Sequence, residues 1–222
     1  MKHVYFDIET IPAQDLAVYA ELLEAVQAPG QYKKPESIAE WLRENREAEA
    51  KAAWLKTSFD GGVGHCVVIG LAVEDEPAQS YQVNALDRRE EVRLLEAFFS
   101  HLTDIGHCTL IGHNSIGFDI PFLWKRAMVL GVKPPFNFPR NPKPWSELAA
   151  DTMLLWDAQQ RAGGSMDRIC RLMGIPGKDG MTGADVWPTI HEFGADGIIK
   201  VAEYCRADVE RTRAMYKRMT FA

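Results

Sequence analysis

The feature that most constrains the fold is the N-terminal stretch VYFDIETIP, which runs from Val4 to Pro12. Its apolar and β-branched residues predict a β-strand, yet it carries two carboxylates, Asp7 and Glu9. Side chains alternate between the faces of a strand, so Asp7 and Glu9 share one face and Phe6 lies on the other. Two interpretations follow: a strand with its polar face in water, or a carboxylate pair that belongs to a site.

The rest of the chain alternates between strand-like and helix-like segments. Further strands are predicted at Cys66–Val73, Ser80–Val83 and Thr109–Asn114, and Asp151–Trp156 fits either a strand or a helix. Helices are predicted over Gln14–Gln27, Pro35–Lys56, Asp87–His101, the segment ending near Leu130, Met166–Met173 and about Ile198–Met219. The inward stripe of the second helix is predicted to hold Ile38, Trp41, Leu42, Ala52 and Leu55.

This order of elements predicts a single α/β domain over residues 1–222, with a mixed sheet covered by helices. Residues 14–56 form a helical insertion after the first strand. The proline-rich stretch from Gly131 to Trp145 is predicted to be irregular. A chain of 222 residues with 46% hydrophobic residues can bury a substantial core.

Composition excludes several classes of protein. There is no run of 18 or more apolar residues, and the N-terminus lacks the pattern of a secretory signal. The scattered cysteines are typical of a cytoplasmic protein with reduced thiols; they are Cys66, Cys108, Cys170 and Cys205. The net charge of -6 argues against coating nucleic acid by bulk electrostatics. It leaves open an enzyme that holds phosphates through metal ions.

Further acidic residues stand at the ends of predicted elements. Asp119 lies in GHNSIGFDIPFL just before Pro121, where a helix should begin. It is either a helix-start carboxylate or part of a site. Tyr204 and Asp208 lie four residues apart in YCRADVERT, on one flank of the last helix. Each feature alone is also compatible with an ordinary structural role.

Taken together and in this order, the three segments resemble the exonuclease motifs of the DEDD superfamily of 3′–5′ exonucleases, which have the ribonuclease H-like fold. FDIET resembles the first motif, HNSIGFDIPFL the second and YCRAD the third in its tyrosine form. The resemblance is nearest to the proofreading exonuclease domain of family B DNA polymerases, especially its stand-alone bacterial and phage relatives. It extends to CVVIG and to LMGIPGKDGMTGADVW, and it is loose only between Gln14 and Lys56.

The resemblance implies a two-metal-ion nuclease with Mg²⁺ or Mn²⁺ as cofactors. Hard cations prefer carboxylate oxygen, so four acidic side chains suit such a site without Cys or His. By this resemblance Asp7 bridges both ions, Glu9 and Asp208 complete the first ion's site, and Asp119 serves the second. Tyr204 orients the attacking water. The histidine branch of the superfamily has His five positions before the last Asp, where this chain has Glu203.

The resemblance also implies contacts with the 3′ end of single-stranded DNA at Thr10, Ile11, Asn114 and Phe118. The reading of Asn114 as a turn residue stays open, as does that of Phe118 as a core residue. Lys178 and Arg206 are candidate phosphate contacts or ordinary solvated cations. His113 is interpreted as structural.

Two glycine-containing segments do not match known nucleotide-binding motifs. GIPGKD lacks the spacing and the Ser or Thr of a phosphate-binding loop, and GGVGH precedes a strand instead of following it. The hypotheses that remain are a 3′–5′ exonuclease acting on DNA in repair or proofreading, an exoribonuclease with the same site, and an inactive nucleic-acid-binding protein. The presence of all four carboxylates and the tyrosine favours an enzyme.

Overall fold

A five-stranded sheet forms the centre of the molecule in the computed structural model, which describes residues 1–143, 146–158, 164–178 and 180–222. The strands are β1 (Lys2–Ile11), β2 (His65–Val73), β3 (Gln79–Gln82), β4 (Cys108–Gly112) and β5 (Ala149–Asp151). Their order is β3-β2-β1-β4-β5. β1 is antiparallel to β2 and parallel to β4, so the sheet is mixed, as predicted.

Helices lie on both faces of this sheet. They are α1 (Leu16–Ala25), α2 (Pro35–Lys56), α3 (Arg88–Ile105), α4 (Asp119–Leu130), α5 (Thr152–Trp156), α6 (Met166–Met173), α7 (Val186–Phe193) and α8 (Ala195–Thr220). α2 and α6 have the predicted limits. α7 was not predicted, because a proline at its third position weakens the helix signal. In the ambiguous segment Asp151–Trp156, Asp151 is the last residue of β5 and the other five residues form α5.

β1 is buried on both of its faces. Phe6 stacks on Phe98 of α3 at 6.4 Å between ring centroids, and Val4 and Ile8 belong to the same core cluster. On the opposite face, Tyr5 packs with Val209 of α8. The alternation predicted from the sequence is therefore confirmed, but the face that carries Asp7 and Glu9 is covered by a helix. The interpretation of a polar face in water is wrong.

The helical insertion is attached to the end of β1 by polar contacts. The Trp54 indole Nε1 donates to the carbonyl of Ala13 at 2.8 Å, and the Thr10 hydroxyl donates to the carbonyl of Ser58 at 2.7 Å. The predicted inward stripe of α2 is wrong at its C-terminal end, where Ala52 and Leu55 are exposed. There the half-buried side chain is Trp54, which packs edge-on against Tyr19 of α1 and Trp187 of α7, so the contact face of α2 differs from the predicted stripe.

The segment after α4 is largely without regular structure, as predicted; Pro144 and Trp145 lie outside the described residues. Asn137 nevertheless fastens it to the core by donating to the carbonyl of Leu102 at 2.6 Å. All four cysteines are buried and unpaired, as expected for reduced thiols. Among the described helices, none combines the length and the apolar character needed to cross a membrane.

Candidate active site

An open cleft of about 640 Å³ lies where β1, the start of α4 and the middle of α8 meet. It brings together all five residues proposed from the sequence as catalytic, which are Asp7, Glu9, Asp119, Tyr204 and Asp208. These residues are separated by up to about 200 positions in the chain, so only the tertiary fold makes them neighbours. Three of the carboxylates are almost fully buried: Glu9 is 6%, Asp119 4% and Asp208 3% exposed.

The close approach of α8 to the sheet places the third motif over the first. Gly70 of β2 pairs with Asp7, and a Cβ atom at Gly70 would lie 2.9 Å from the Cys205 sulfur and 3.0 Å from a methyl group of Val209. The missing side chain therefore makes room for α8. Tyr204, one turn before Asp208, then reaches the same cleft as Asp7.

The second motif is linked directly to the first. Asp119 is the first residue of α4, and its Oδ1 accepts a hydrogen bond from the backbone amide of Ile8 at 3.2 Å. Ile8 lies between Asp7 and Glu9, so this bond ties the carboxylate of α4 to the strand that carries the acidic pair. The helix-start role and the site role of Asp119 are compatible in this geometry.

The electrostatics of the cleft favour a bound cation. Burial raises the pKa of Asp7 well above its usual value, and the neighbouring charges of Glu9, Asp119 and Asp208 raise it further. Burial and the Asp208 charge likewise raise the pKa of Glu9. Burial raises the pKa of Asp119 to about 7. Carboxylates that resist ionisation together can all ionise when cations are added, so this donor set fits the divalent ions implied by the resemblance.

Cys205 also lies at the edge of this acidic pair. Its sulfur is 3.7 Å from Oδ2 of Asp7, and one ligand atom from each of Asp7, Glu9 and Cys205 lies within 4.8 Å of the others. Burial raises the pKa of this thiol well above its usual value, so it stays protonated. Hard cations prefer oxygen ligands. The carboxylates are therefore the better candidates for holding Mg²⁺ or Mn²⁺.

Two cations offset part of the negative charge of the cleft. The ammonium of Lys178 contacts the phenolic oxygen of Tyr204 at 2.5 Å and Oδ2 of Asp208. Arg211 donates to the other oxygen of Asp208 at 2.9 Å. Burial, with the charges of Glu9 and Asp208, raises the pKa of Tyr204 above its usual value, so the phenol stays protonated.

Comparison with known proteins identifies the family. Residues 53–222 match a family model described as a predicted 3′-5′ exonuclease related to the exonuclease domain of PolB. The chain belongs to this family. It is also similar to the family B DNA polymerase from the hyperthermophilic archaeon Pyrobaculum calidifontis, with a TM-score of 0.61 and 18% identity over 99% of this chain and 24% of the polymerase. The chain thus spans about a quarter of that polymerase's length.

This structural likeness confirms the predicted ribonuclease H-like α/β fold. No curated protein matches the chain. The family assignment supports the description of the chain as a nuclease of the hydrolase class. The family model begins at residue 53, beyond most of the helical insertion, where the resemblance noted in the sequence is loose.

The four residues predicted to contact substrate differ in their surroundings. Asn114 and Phe118 line the cleft. Asn114 is exposed and has a left-handed backbone with φ of 63°, a conformation that asparagine tolerates, so it also serves the turn. Thr10 lies beside Glu9 with its hydroxyl engaged by Ser58. Ile11 is 0% exposed and packs in the core, so its side chain is unavailable to a substrate.

The two candidate phosphate contacts, Lys178 and Arg206, differ in their position relative to the cleft. Lys178 lines the cleft, but its ammonium is occupied by Tyr204 and Asp208. Arg206 donates to the hydroxyl of Ser80 at 2.7 Å, and it is not among the residues that line the cleft. Sequence reasoning alone gave these two residues equal weight, because spacing does not show which side chain reaches the carboxylates.

Asp151 is a site-building residue that sequence reasoning missed. It is 3% exposed, and its carboxylate accepts hydrogen bonds from the backbone amides of Asn114 at 2.9 Å and Ile116 at 3.0 Å. It thereby shapes the turn between β4 and α4. The signal in the sequence was an aspartate at a helix start, since it also accepts from Met153 at 2.9 Å. The structural role of His113 fits its ring nitrogens, which contact Thr152 at 2.9 Å and Gly164 at 3.1 Å.

Proposed function

We propose that this chain is a two-metal-ion 3′–5′ exonuclease that removes nucleoside monophosphates from the 3′ end of single-stranded DNA. The observation that carries the proposal is the convergence of four carboxylates and a protonated tyrosine in one open cleft, in a chain that belongs to a family of predicted 3′-5′ exonucleases. This convergence counts against an inactive binding protein, which would have no need to bury carboxylates that repel one another.

The carboxylates form one electrostatically linked cluster. The charges of Glu9, Asp119 and Asp208 raise the pKa of Asp7, and those of Asp208 and Asp119 raise the pKa of Glu9. By the family resemblance, Asp7 is the candidate ligand shared by two ions, with Glu9 and Asp208 on one ion and Asp119 on the other. Bound Mg²⁺ or Mn²⁺ would supply Lewis acidity that lowers the pKa of a water and stabilises charge on the leaving oxygen.

Lys178 determines what the Tyr204 hydroxyl can do. An ammonium group only donates hydrogen bonds, so the phenolic oxygen of Tyr204 accepts one from Lys178. Its own hydrogen bonds to the carboxylate of Asp208 here, and it becomes available to a water or to a phosphate oxygen once a cation occupies that carboxylate. Because the phenol stays protonated, Tyr204 positions that oxygen atom and does not remove its proton.

The proposal is tested by digesting 5′-labelled single-stranded DNA, duplex DNA and RNA, each with Mg²⁺, Mn²⁺ or a chelator. We expect metal-dependent shortening of single-stranded DNA from the 3′ end. Asp7→Ala should abolish it, because this change removes the shared ligand. The matched control is Glu203→Ala, which removes an exposed carboxylate beside Tyr204 on the same helix.

Several results would contradict the proposal. Cleavage of a circular single strand would show an endonuclease, and unchanged turnover in Asp7→Ala would remove the acidic cluster from the reaction. Faster digestion of RNA than DNA would favour the exoribonuclease, since discrimination depends on contacts with the 2′-hydroxyl. The assignment of residues 1–222 to one exonuclease domain and a cytoplasmic location stay predictions.

A further inference from the structure

An exposed aromatic side chain adjoins the cleft from outside. Phe59 is the last residue of a short 3-10 turn, Thr57–Phe59, that follows α2, and 73% of it is exposed. Its ring contacts that of Phe118 edge-on, with 6.2 Å between centroids and 62° between planes. Phe118 lines the cleft, so the two rings form a continuous aromatic surface from the cleft to its rim.

The turn that carries Phe59 is held firmly by its neighbours. The Thr10 hydroxyl donates to the carbonyl of Ser58 at 2.7 Å, and the amide of Ala13 donates to the Thr57 hydroxyl at 2.8 Å. The chain after the turn packs closely too: a Cβ atom at Gly61 would lie 2.5 Å from the carbonyl oxygen of Phe122. The exposure of Phe59 is therefore a property of a fixed turn and not of a frayed helix end.

Cations accompany this ring. Lys56 is exposed three residues before Phe59, at the end of α2. Lys125 pairs with Asp60 at 2.8 Å, and this hydrogen bond lowers the pKa of Asp60, so the aspartate is an ion-paired neighbour of Phe59. A fixed, exposed aromatic ring with an exposed lysine three residues away in the chain suits a single-strand binding surface, in which bases stack on rings and phosphates meet cations.

We propose that Phe59 and Phe118 together form a stacking surface for an unpaired base upstream of the nucleotide being removed. This inference rests on the proposed function and adds a binding subsite to it. A base held in a duplex stacks on its paired neighbours and is unavailable to a ring at the rim. The subsite therefore selects substrates with an unpaired 3′ segment longer than the terminal nucleotide, whatever their sequence.

The continuity with the cleft favours a nucleic-acid base over a protein partner as the occupant. Phe59 contacts a residue of the cleft wall, and its turn is bonded to Thr10, the neighbour of Glu9. Phe136 provides a contrast: it is 79% exposed but lies among α3 residues such as Glu96 and Thr103, and the described residues around it include none that line the cleft. It therefore serves as the matched control for substitution of an exposed phenylalanine.

The test uses the full chain and oligodeoxynucleotides that carry 2-aminopurine at successive positions from the 3′ end. Binding is measured in the Asp7→Asn background, so that cleavage does not shorten the probe. We expect quenching of the fluorophore at one upstream position, its loss in Phe59→Ala, and its recovery in Phe59→Trp. Affinity for the oligomer should fall by about 5- to 20-fold in Phe59→Ala, at the lower end of the effect of removing one stacked base.

Further measurements separate the alternatives. In the otherwise wild-type enzyme, Phe59→Ala should raise KM for a long single strand, leave kcat nearly unchanged, and leave a dinucleotide unaffected. Phe136→Ala should behave as wild type, and equal melting temperatures would show that the turn is intact.

Unaltered quenching and an unaltered KM in Phe59→Ala would overturn the proposed stacking surface, while the exonuclease proposal would stand. Absence of Asp7-dependent cleavage would instead overturn the proposed function, and quenching that appeared equally with a blunt duplex would overturn selection for unpaired bases.

Discussion

At the scale of single residues, Tyr204 and Asp208 share one helix but have different surroundings. Asp208 is buried, and its two carboxylate oxygens pair with Lys178 and Arg211. Tyr204 is a neutral phenol whose oxygen accepts from Lys178. A hydroxyl group that acts only by positioning should contribute to the rate and leave the affinity for metal ions unchanged.

The first prediction is that Tyr204→Phe lowers the rate of single-turnover cleavage by about 10²-fold, near the lower end of what one positioned group contributes. The ring is kept, so packing and metal affinity should be nearly unchanged. Tyr216→Phe is the control on the same helix, because Tyr216 packs against Tyr5 and away from the cleft. A rate for Tyr204→Phe within about twofold of wild type at saturating Mg²⁺ would remove the hydroxyl from the mechanism.

At the scale of elements, the site depends on the distance between α8 and the sheet. β1 supplies Asp7 and Glu9, whereas α8 supplies Tyr204 and Asp208, and no short loop connects the two elements. At Gly70, α8 lies so close to the sheet that an added Cβ atom would come within about 3 Å of Cys205 and Val209. A small displacement of the helix would separate the carboxylates without unfolding either element.

The second prediction is that Gly70→Ala reduces activity more than its effect on stability would suggest. The new methyl group would meet the Cys205 sulfur at 2.9 Å, so α8 must shift outward. Overpacking of this kind typically costs about 1–3 kcal/mol. We expect a modestly lower melting temperature, weaker Mn²⁺ binding measured by calorimetry, and a cleavage rate that falls even at temperatures where the variant is fully folded. Gly30→Ala is the control, since a Cβ atom there has no neighbour within 4 Å; equal metal affinity in Gly70→Ala and wild type would contradict the argument.

At the scale of the whole molecule, the buried acidic cluster lowers stability when no cation is bound. The Asp119 carboxyl holds its proton to about pH 7 in the folded protein but only to pH 3.8 in an unfolded chain. The folded protein therefore binds more protons in this interval, and its free energy of unfolding falls as the pH rises through it. Asp7 and Glu9 act in the same direction.

The third prediction is that the metal-free protein melts at a lower temperature at pH 8 than at pH 5, and that Mn²⁺ restores stability at pH 8. Asp119→Asn should flatten the pH dependence, because between pH 5 and about pH 7 this carboxyl contributes roughly 3 kcal/mol, at about 1.4 kcal/mol per pH unit. Thermal melts with EDTA or Mn²⁺ at both pH values measure this. The prediction would be contradicted if the melting temperature of the wild-type protein in EDTA rose between pH 5 and pH 8, or if Mn²⁺ left the melting temperature at pH 8 unchanged.

Local features, which depend on neighbouring residues, could be predicted from the amino-acid sequence. The alternation in VYFDIETIP placed Asp7 and Glu9 on one face of β1, and helical spacing placed Tyr204 one turn from Asp208. The limits of α2 also followed from local signals, with proline at its start. These features rest on backbone geometry and on side-chain periodicity, which repeat within a few residues of the chain.

Tertiary structure alone decided which side chains meet across the chain. It turned the acidic face of β1 inward under α8, brought Lys178 to Tyr204, and made Asp151 the acceptor that shapes the turn after β4. It also placed Phe59, in the turn that follows the insertion, against Phe118, and it buried Ile11. Such contacts join residues distant in sequence, and they depend on how closely whole elements pack. No local pattern specifies how closely elements pack, so the motifs and their family resemblance indicated the carboxylates but not the contact of Lys178 with Tyr204 or the approach of Phe59 to Phe118.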